Sequence, residues 1–125
     1  MTVDFIAPEV KTPYRVIFLG ASTQGWYEAS DEDRREKILP RFKAAITQWR
    51  AMGARVLATV DDDLFMVGAP HSTGFTWYLV FEIPSLETAA AMIQTFRVSE
   101  NGVRLDRYFR LEARFGRPFF LLEDG

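Results

Sequence analysis

The apolar positions of this chain recur with two different periods, and the densest run lies at Phe75-Thr76-Trp77-Tyr78-Leu79-Val80-Phe81-Glu82-Ile83 between Gly74 and Pro84. Branched and aromatic side chains suit a pleated surface, so the run reads as a strand. Its alternate residues make one row of Phe75, Trp77, Leu79, Phe81 and Ile83, and a second of Thr76, Tyr78, Val80 and Glu82. The second row still holds Tyr78 and Val80, which predicts a strand covered on both faces. Arg15 to Ala21 is a second strand of this kind, Arg55 to Val60 a more polar one, and Tyr108 to Phe115 one of strict alternation. In that last strand Phe109, Leu111, Ala113 and Phe115 face one way, and Tyr108, Arg110, Glu112 and Arg114 the other.

Two stretches repeat at three and four instead. Ser30-Asp31-Glu32-Asp33 has the cap and acids of a helix start, followed by the stripe Ile38, Leu39, Phe42, Ala45, Ile46, Trp49 and Met52. Pro40 predicts a kink or restart, Gly53 an end, and the arginines and lysines, Arg41 among them, a solvated face. Ser85-Leu86-Glu87-Thr88 opens a second helix, with Leu86, Ala89, Ala90, Ile93 and Phe96 as its buried stripe.

The order strand, helix, strand, strand, helix, strand is the split βαβ arrangement of an α+β, ferredoxin-like sandwich. That topology places the first and third strands centrally, and these are the two that are apolar on both faces. Two helices cover one face of a four-stranded sheet. Pairing two sheets in a homodimer, a dimeric α/β barrel, would cover the other and enclose a half-polar pocket above Tyr78. Residues 1–13 read as an arm, 14–118 as the domain, and 119–125 as an apolar tail that should avoid water.

At 125 residues, with 48 % hydrophobic and 26 % charged residues, the chain is long enough for one core. A net charge of −2 argues against a nucleic-acid partner, and no apolar run approaches the roughly 20 residues that span a bilayer. The absence of cysteine excludes thiolate metal sites and fits a reducing cytoplasm. Eleven Phe, four Tyr and three Trp suit a pocket for a flat apolar ligand as well as a core.

No P-loop, dinucleotide fingerprint, zinc motif or nucleophile elbow occurs, so no cofactor and no metal are expected. Asp61-Asp62-Asp63 reads as a solvated turn, or as one carboxylate, Asp62 or Asp63, acting as a base. Consecutive strand residues alternate sides, so the three do not converge on a cation. His71 is the sole histidine and a second candidate base. Tyr78 and Tyr108 are candidate hydrogen donors on the inferred second face. Arg110 offers a bidentate fork for a carboxylate or enolate, unless it is simply paired with Glu112. Trp26 and Tyr27, in a loop, are a lid over the core edge or a wall of the site, and Phe65 is a further lining candidate. Trp77 either lines the pocket or packs under the helices with Leu79.

The run Asp61 to Gly68, with Trp77-Tyr78, Phe96-Arg97, Leu105, Arg107-Tyr108, Glu112-Ala113-Arg114 and Gly116-Arg117-Pro118, resembles the small IacB-type proteins found with bacterial indole-3-acetate degradation enzymes. The resemblance extends from about Val16 to Pro118. It implies catabolism of an indole-derived or similar aromatic acid in a bacterial cytoplasm. A comparable small protein of indole degradation is a cofactor-free oxygenase that converts a hydroxyindolinone to anthranilate. The family does not depend on a histidine at the position of His71. The expectation is therefore a small cofactor-independent, base-initiated enzyme, with a non-catalytic binding or accessory protein as its rival.

Overall fold

The computed structural model describes residues 13–65, 67–68, 74–119 and 121–122. His71, Phe120 and nearly all of the N-terminal arm lie outside the described residues. Strand β1 (Tyr14–Ser22) leads to a short helix α1 (Gln24–Glu28), then α2 (Asp31–Asp33), a π-helical turn (Arg34–Ile38) and α3 (Leu39–Ala51). Strands β2 (Arg55–Asp61) and β3 (Trp77–Ile83), helix α4 (Leu86–Arg97), a 3₁₀ turn (Leu105–Arg107) and β4 (Phe109–Gly116) complete the chain.

The sheet is antiparallel with order β2-β3-β1-β4, so the two strands apolar on both faces are the central pair. This is the ferredoxin-like α+β fold expected from the element order. Leu19 stands between Tyr78 of β3 and Glu112 of β4, and Ile17 between Val80 and Arg114. β2 meets β3 with a register shift between Val56 and Ala58, and this bulge reverses the parity of the strand beyond it.

The predicted helix starts hold, because Ser30 Oγ accepts from the Asp33 amide at 3.0 Å and Ser85 Oγ from the Thr88 amide at 3.2 Å. Gly53, at φ 99°, ends α3 while the Ala54 amide reaches back to the Trp49 carbonyl at 3.1 Å. Helices α3 and α4 cover one face of the sheet. Phe18 of β1 stacks on Trp49 of α3 at 4.8 Å, and Trp49 meets Phe81 and Phe96 at 5.5 and 5.6 Å. Such aromatic pairs each add about 0.5–1.5 kcal/mol beyond area burial. Trp49 Nε1 also donates to the Met92 carbonyl at 3.0 Å and to Thr95 Oγ1 at 2.7 Å, fixing the two helices together.

Several expectations are corrected. Arg41 is 5 % exposed rather than solvated. Its Nη2 caps the last turn of α4 through the Thr95 carbonyl at 2.8 Å and pairs with Glu100 at 3.4 Å. The cause is ordinary helical spacing, because Arg41 stands four and eight residues before the buried Ala45 and Trp49 of α3. In α4, Met92 and Thr95 are buried while Leu86 and Ala90 are exposed. Leu39 is exposed as well, and among the described tail residues Phe119, Leu121 and Leu122 stand in solvent.

Phe75 leaves the row in which alternation put it. The strand begins only at Trp77, and the buried Phe75 ring lies beneath the Arg110 guanidinium, 4.7 Å from its carbon, on the face away from the helices. Gly74, at φ 83°, turns the chain immediately before it. Tyr108 also misses its predicted face, because it caps the 3₁₀ turn and packs against the core instead of opening β4.

Candidate functional site

The expected site residues divide between the two faces of the sheet. On the face away from the helices, Tyr78 Oη donates to Asp62 Oδ2 at 3.0 Å and lies 3.4 Å from the Phe75 carbonyl. The Asp62 amide donates to the Thr76 carbonyl at 2.9 Å, which holds this carboxylate at the end of the sheet. The hydrogen bond to Asp62, then removal from water, then the Asp62 charge keep the Tyr78 phenol protonated above its ordinary pKa of 10.0. Arg110 pairs with Glu112 at 2.6 Å and covers the Phe75 ring. Phe75 therefore joins the two pairs, touching Tyr78 through its carbonyl and Arg110 through its ring. Its apolar character and apparent place in the helix-side row gave no sign of this role.

Asp63 is exposed past the end of β2. Leu64, Phe65 and Val67, which follow it, are 87 %, 78 % and 90 % exposed. Tyr27 points into solvent, whereas Trp26 packs on Phe109 at 5.3 Å under the Arg34 guanidinium. Arg34 also donates to the carbonyls of Trp26 and Tyr27 at 2.9 and 2.8 Å, which anchors α1.

A pocket of about 310 Å³ opens on the helix face, at the end of the sheet where β2 leaves it. Its walls are Leu39 and Phe42 from α3, Trp77 and Leu79 from β3, and Phe109 from β4. Thr59, Val60 and Asp61 form the β2 rim. Trp77 is held by edge contacts with Phe42 at 5.7 Å and Phe109 at 6.3 Å. Its indole crosses Gly20 of β1, where any Cβ would overlap the ring. Strand parity after the bulge sends Thr59, opposite Leu79, and Asp61, opposite Trp77, toward the helix face. The carboxylate that reaches the apolar pocket is thus Asp61 and not its two neighbours. Without the bulge, alternation from Val56 would turn Asp61 to the other face.

Among the described residues, no group of three or more His, Asp or Glu side chains is placed to hold a metal ion. Among the same residues, no helix is long and apolar enough to cross a membrane.

The fold has solved counterparts. A protein described as a candidate chlorite dismutase, TA0507, superposes with a TM-score of 0.57 and 19 % identity over 85 % of this chain and 45 % of its own. RPA0582 from Rhodopseudomonas palustris, a protein of unknown function, superposes with a TM-score of 0.59 and 14 % identity over 88 % of this chain and 85 % of its own. At these identities the likeness shows the fold alone, and this chain spans less than half of the first protein. No protein-family model matches the chain, and no curated protein does.

Proposed function

We propose that the protein is a small cofactor-independent enzyme that binds a flat aromatic catabolite in the helix-face pocket and starts its chemistry by removing a proton. The observation that carries this reading is a single carboxylate, Asp61, on the rim of an aromatic-walled pocket of about 310 Å³. That volume is at the small end of ligand sites and suits a bicyclic ring system. Trp77, Phe42 and Phe109 supply ring faces and edges for an aromatic guest.

In this reading Asp61 accepts a proton from a C–H or N–H of an electron-rich heteroaromatic. The resulting anion, with its charge delocalised onto carbon, is itself the reductant of dioxygen, so the protein has only to position and deprotonate the substrate. The likeness to IacB-type proteins supports an indole-derived substrate and a bacterial cytoplasmic setting. The Asp62–Tyr78 and Arg110–Glu112 pairs on the opposite face are assigned a structural part.

A second reading has an observation in its favour. Among the described residues, Thr59 and the Trp77 indole are the neutral polar groups on the pocket wall, a sparse set for stabilising an oxyanion. A binding or accessory protein that holds a reactive intermediate for a partner oxygenase needs no more than that.

Titration of metal-stripped protein with indole, indole-3-acetate and a hydroxyindolinone, followed by oxygen uptake, tests both readings. Binding lost in Trp77→Ala, with uptake lost in Asp61→Asn, is the expected result. Tight binding without uptake favours the accessory role, and no binding of any of the three sinks the pocket assignment.

A further inference from the structure

The helix-face pocket carries one sign of charge. Among the described residues that line it, Asp61 alone has a charged side chain, and no arginine, lysine or histidine reaches the walls. Asp61 takes part in none of the ion pairs among the described residues, so its charge is not offset locally. Asp62 and Asp63 follow it directly, one engaged with Tyr78 on the other face and one exposed. The end of β2 that borders the pocket is therefore acidic, while the rings of Trp77, Phe42 and Phe109 behind it are neutral.

We infer, on the reading that this pocket is the substrate site, that it takes an uncharged aromatic ring and turns away the corresponding aromatic carboxylate. An anion entering past Asp61 gives up water, meets a charge of its own sign and finds no cation in return. Even at the dielectric of water, like unit charges about 4 Å apart lower affinity roughly fivefold. A neutral guest escapes that penalty and keeps the same ring contacts.

A cationic guest meets the opposite field. Its ammonium is drawn to Asp61, the group that has to accept the substrate proton, so an aromatic amine binds well and blocks turnover. An aromatic acid is in this scheme a precursor of the substrate rather than the substrate itself. Its carboxylate has to be removed or masked in an earlier step before the ring enters the pocket.

Calorimetric titration of the full chain with indole-3-acetamide, indole-3-acetate and tryptamine tests this, because the three share a ring and differ in the charge of a short arm. Each is measured at low salt and again at about 1 M salt, where the screening length falls to about 3 Å. The expected order of affinity at low salt is amine, amide, acid, with the acid at least fivefold weaker than the amide. That gap narrows at high salt and closes in Asp61→Asn, a change at an exposed position. Acid and amide bound equally well by the wild type overturn the inference and leave the pocket assignment standing. A gap that survives both high salt and Asp61→Asn also overturns it, since such a gap comes from shape and not from charge. Failure of all three to bind, in wild type and variant alike, removes the pocket assignment and this inference with it.

Discussion

The indole of Trp77 lies across Gly20 of the neighbouring strand, in the space a Cβ would fill. Gly20 is needed for that space and not for an unusual backbone conformation. Gly20→Ala should lift the ring from the pocket floor and cost about 1–3 kcal/mol, the range of overpacked cores. Denaturant unfolding reads the stability, and aromatic-ligand titration reads the damaged pocket. An alanine variant with unchanged binding would show that the ring does not form the floor in solution.

The three adjacent aspartates should separate by function. Asp61→Asn is expected to lower turnover about a hundredfold or more while leaving binding in place, as loss of a general base does. Asp62→Asn, whose side chain lies on the other face, should leave turnover unchanged. Steady-state oxygen uptake and equilibrium titration of the two variants distinguish these outcomes, and equal effects would remove Asp61 from its assigned part.

Tyr78 gives the fold an alkaline limit. Its pKa is raised in the folded state, chiefly by the hydrogen bond to Asp62, so the folded protein holds the phenolic proton more tightly than the unfolded chain does. This contribution is fully present below the ordinary tyrosine value near 10 and is lost as pH rises through the folded value. Stability should therefore fall with rising pH above about 10 in the wild type, and Tyr78→Phe should flatten that part of the profile. Denaturant midpoints across the alkaline range supply the measurement.

Arg41 offers a contrast between charge and packing. Its Nε and Nη1 are buried without a hydrogen-bond partner, although Nη2 serves the Thr95 carbonyl. Arg41→Met removes two orphaned donors, strands one carbonyl and frees a half-exposed Glu100, so stability should stay within about 1.5 kcal/mol of the wild type. Arg41→Ala adds a cavity and should cost about 2 kcal/mol more than methionine. Thermal and denaturant unfolding of both variants check the order.

Much of the fold was legible in the chain because its elements rest on repeated local signals. Val16 and Phe18 on one face with Ile17 and Leu19 on the other marked β1 as central, and the sheet order agrees. The Ser30 and Ser85 caps, and the span of α4, followed from cap chemistry and periodicity. The site was less legible because it depends on single-residue departures from a period. The bulge between Val56 and Ala58 decides which aspartate faces the pocket, and the turn at Gly74 moves Phe75 to the other side. Arg41 shares the stripe of Ala45 and Trp49, but its charge points to solvent, and the Thr95 carbonyl and Glu100 that receive it lie far along the chain. A one-residue shift leaves composition unchanged while exchanging the faces of everything beyond it.

The π-helical turn at Arg34–Ile38 bears the geometry of a one-residue insertion within a continuous helix. Deleting one residue there would let an ordinary helix form, but would swing the segment before it by about 100°. Arg34 would turn away from the carbonyls of Trp26 and Tyr27, and the anchor that keeps Trp26 against Phe109 would go. Phe109 is also a wall of the pocket. A shortened, more regular helix would thus loosen a binding wall on a different strand, so length at this point in the chain is constrained as tightly as any side chain.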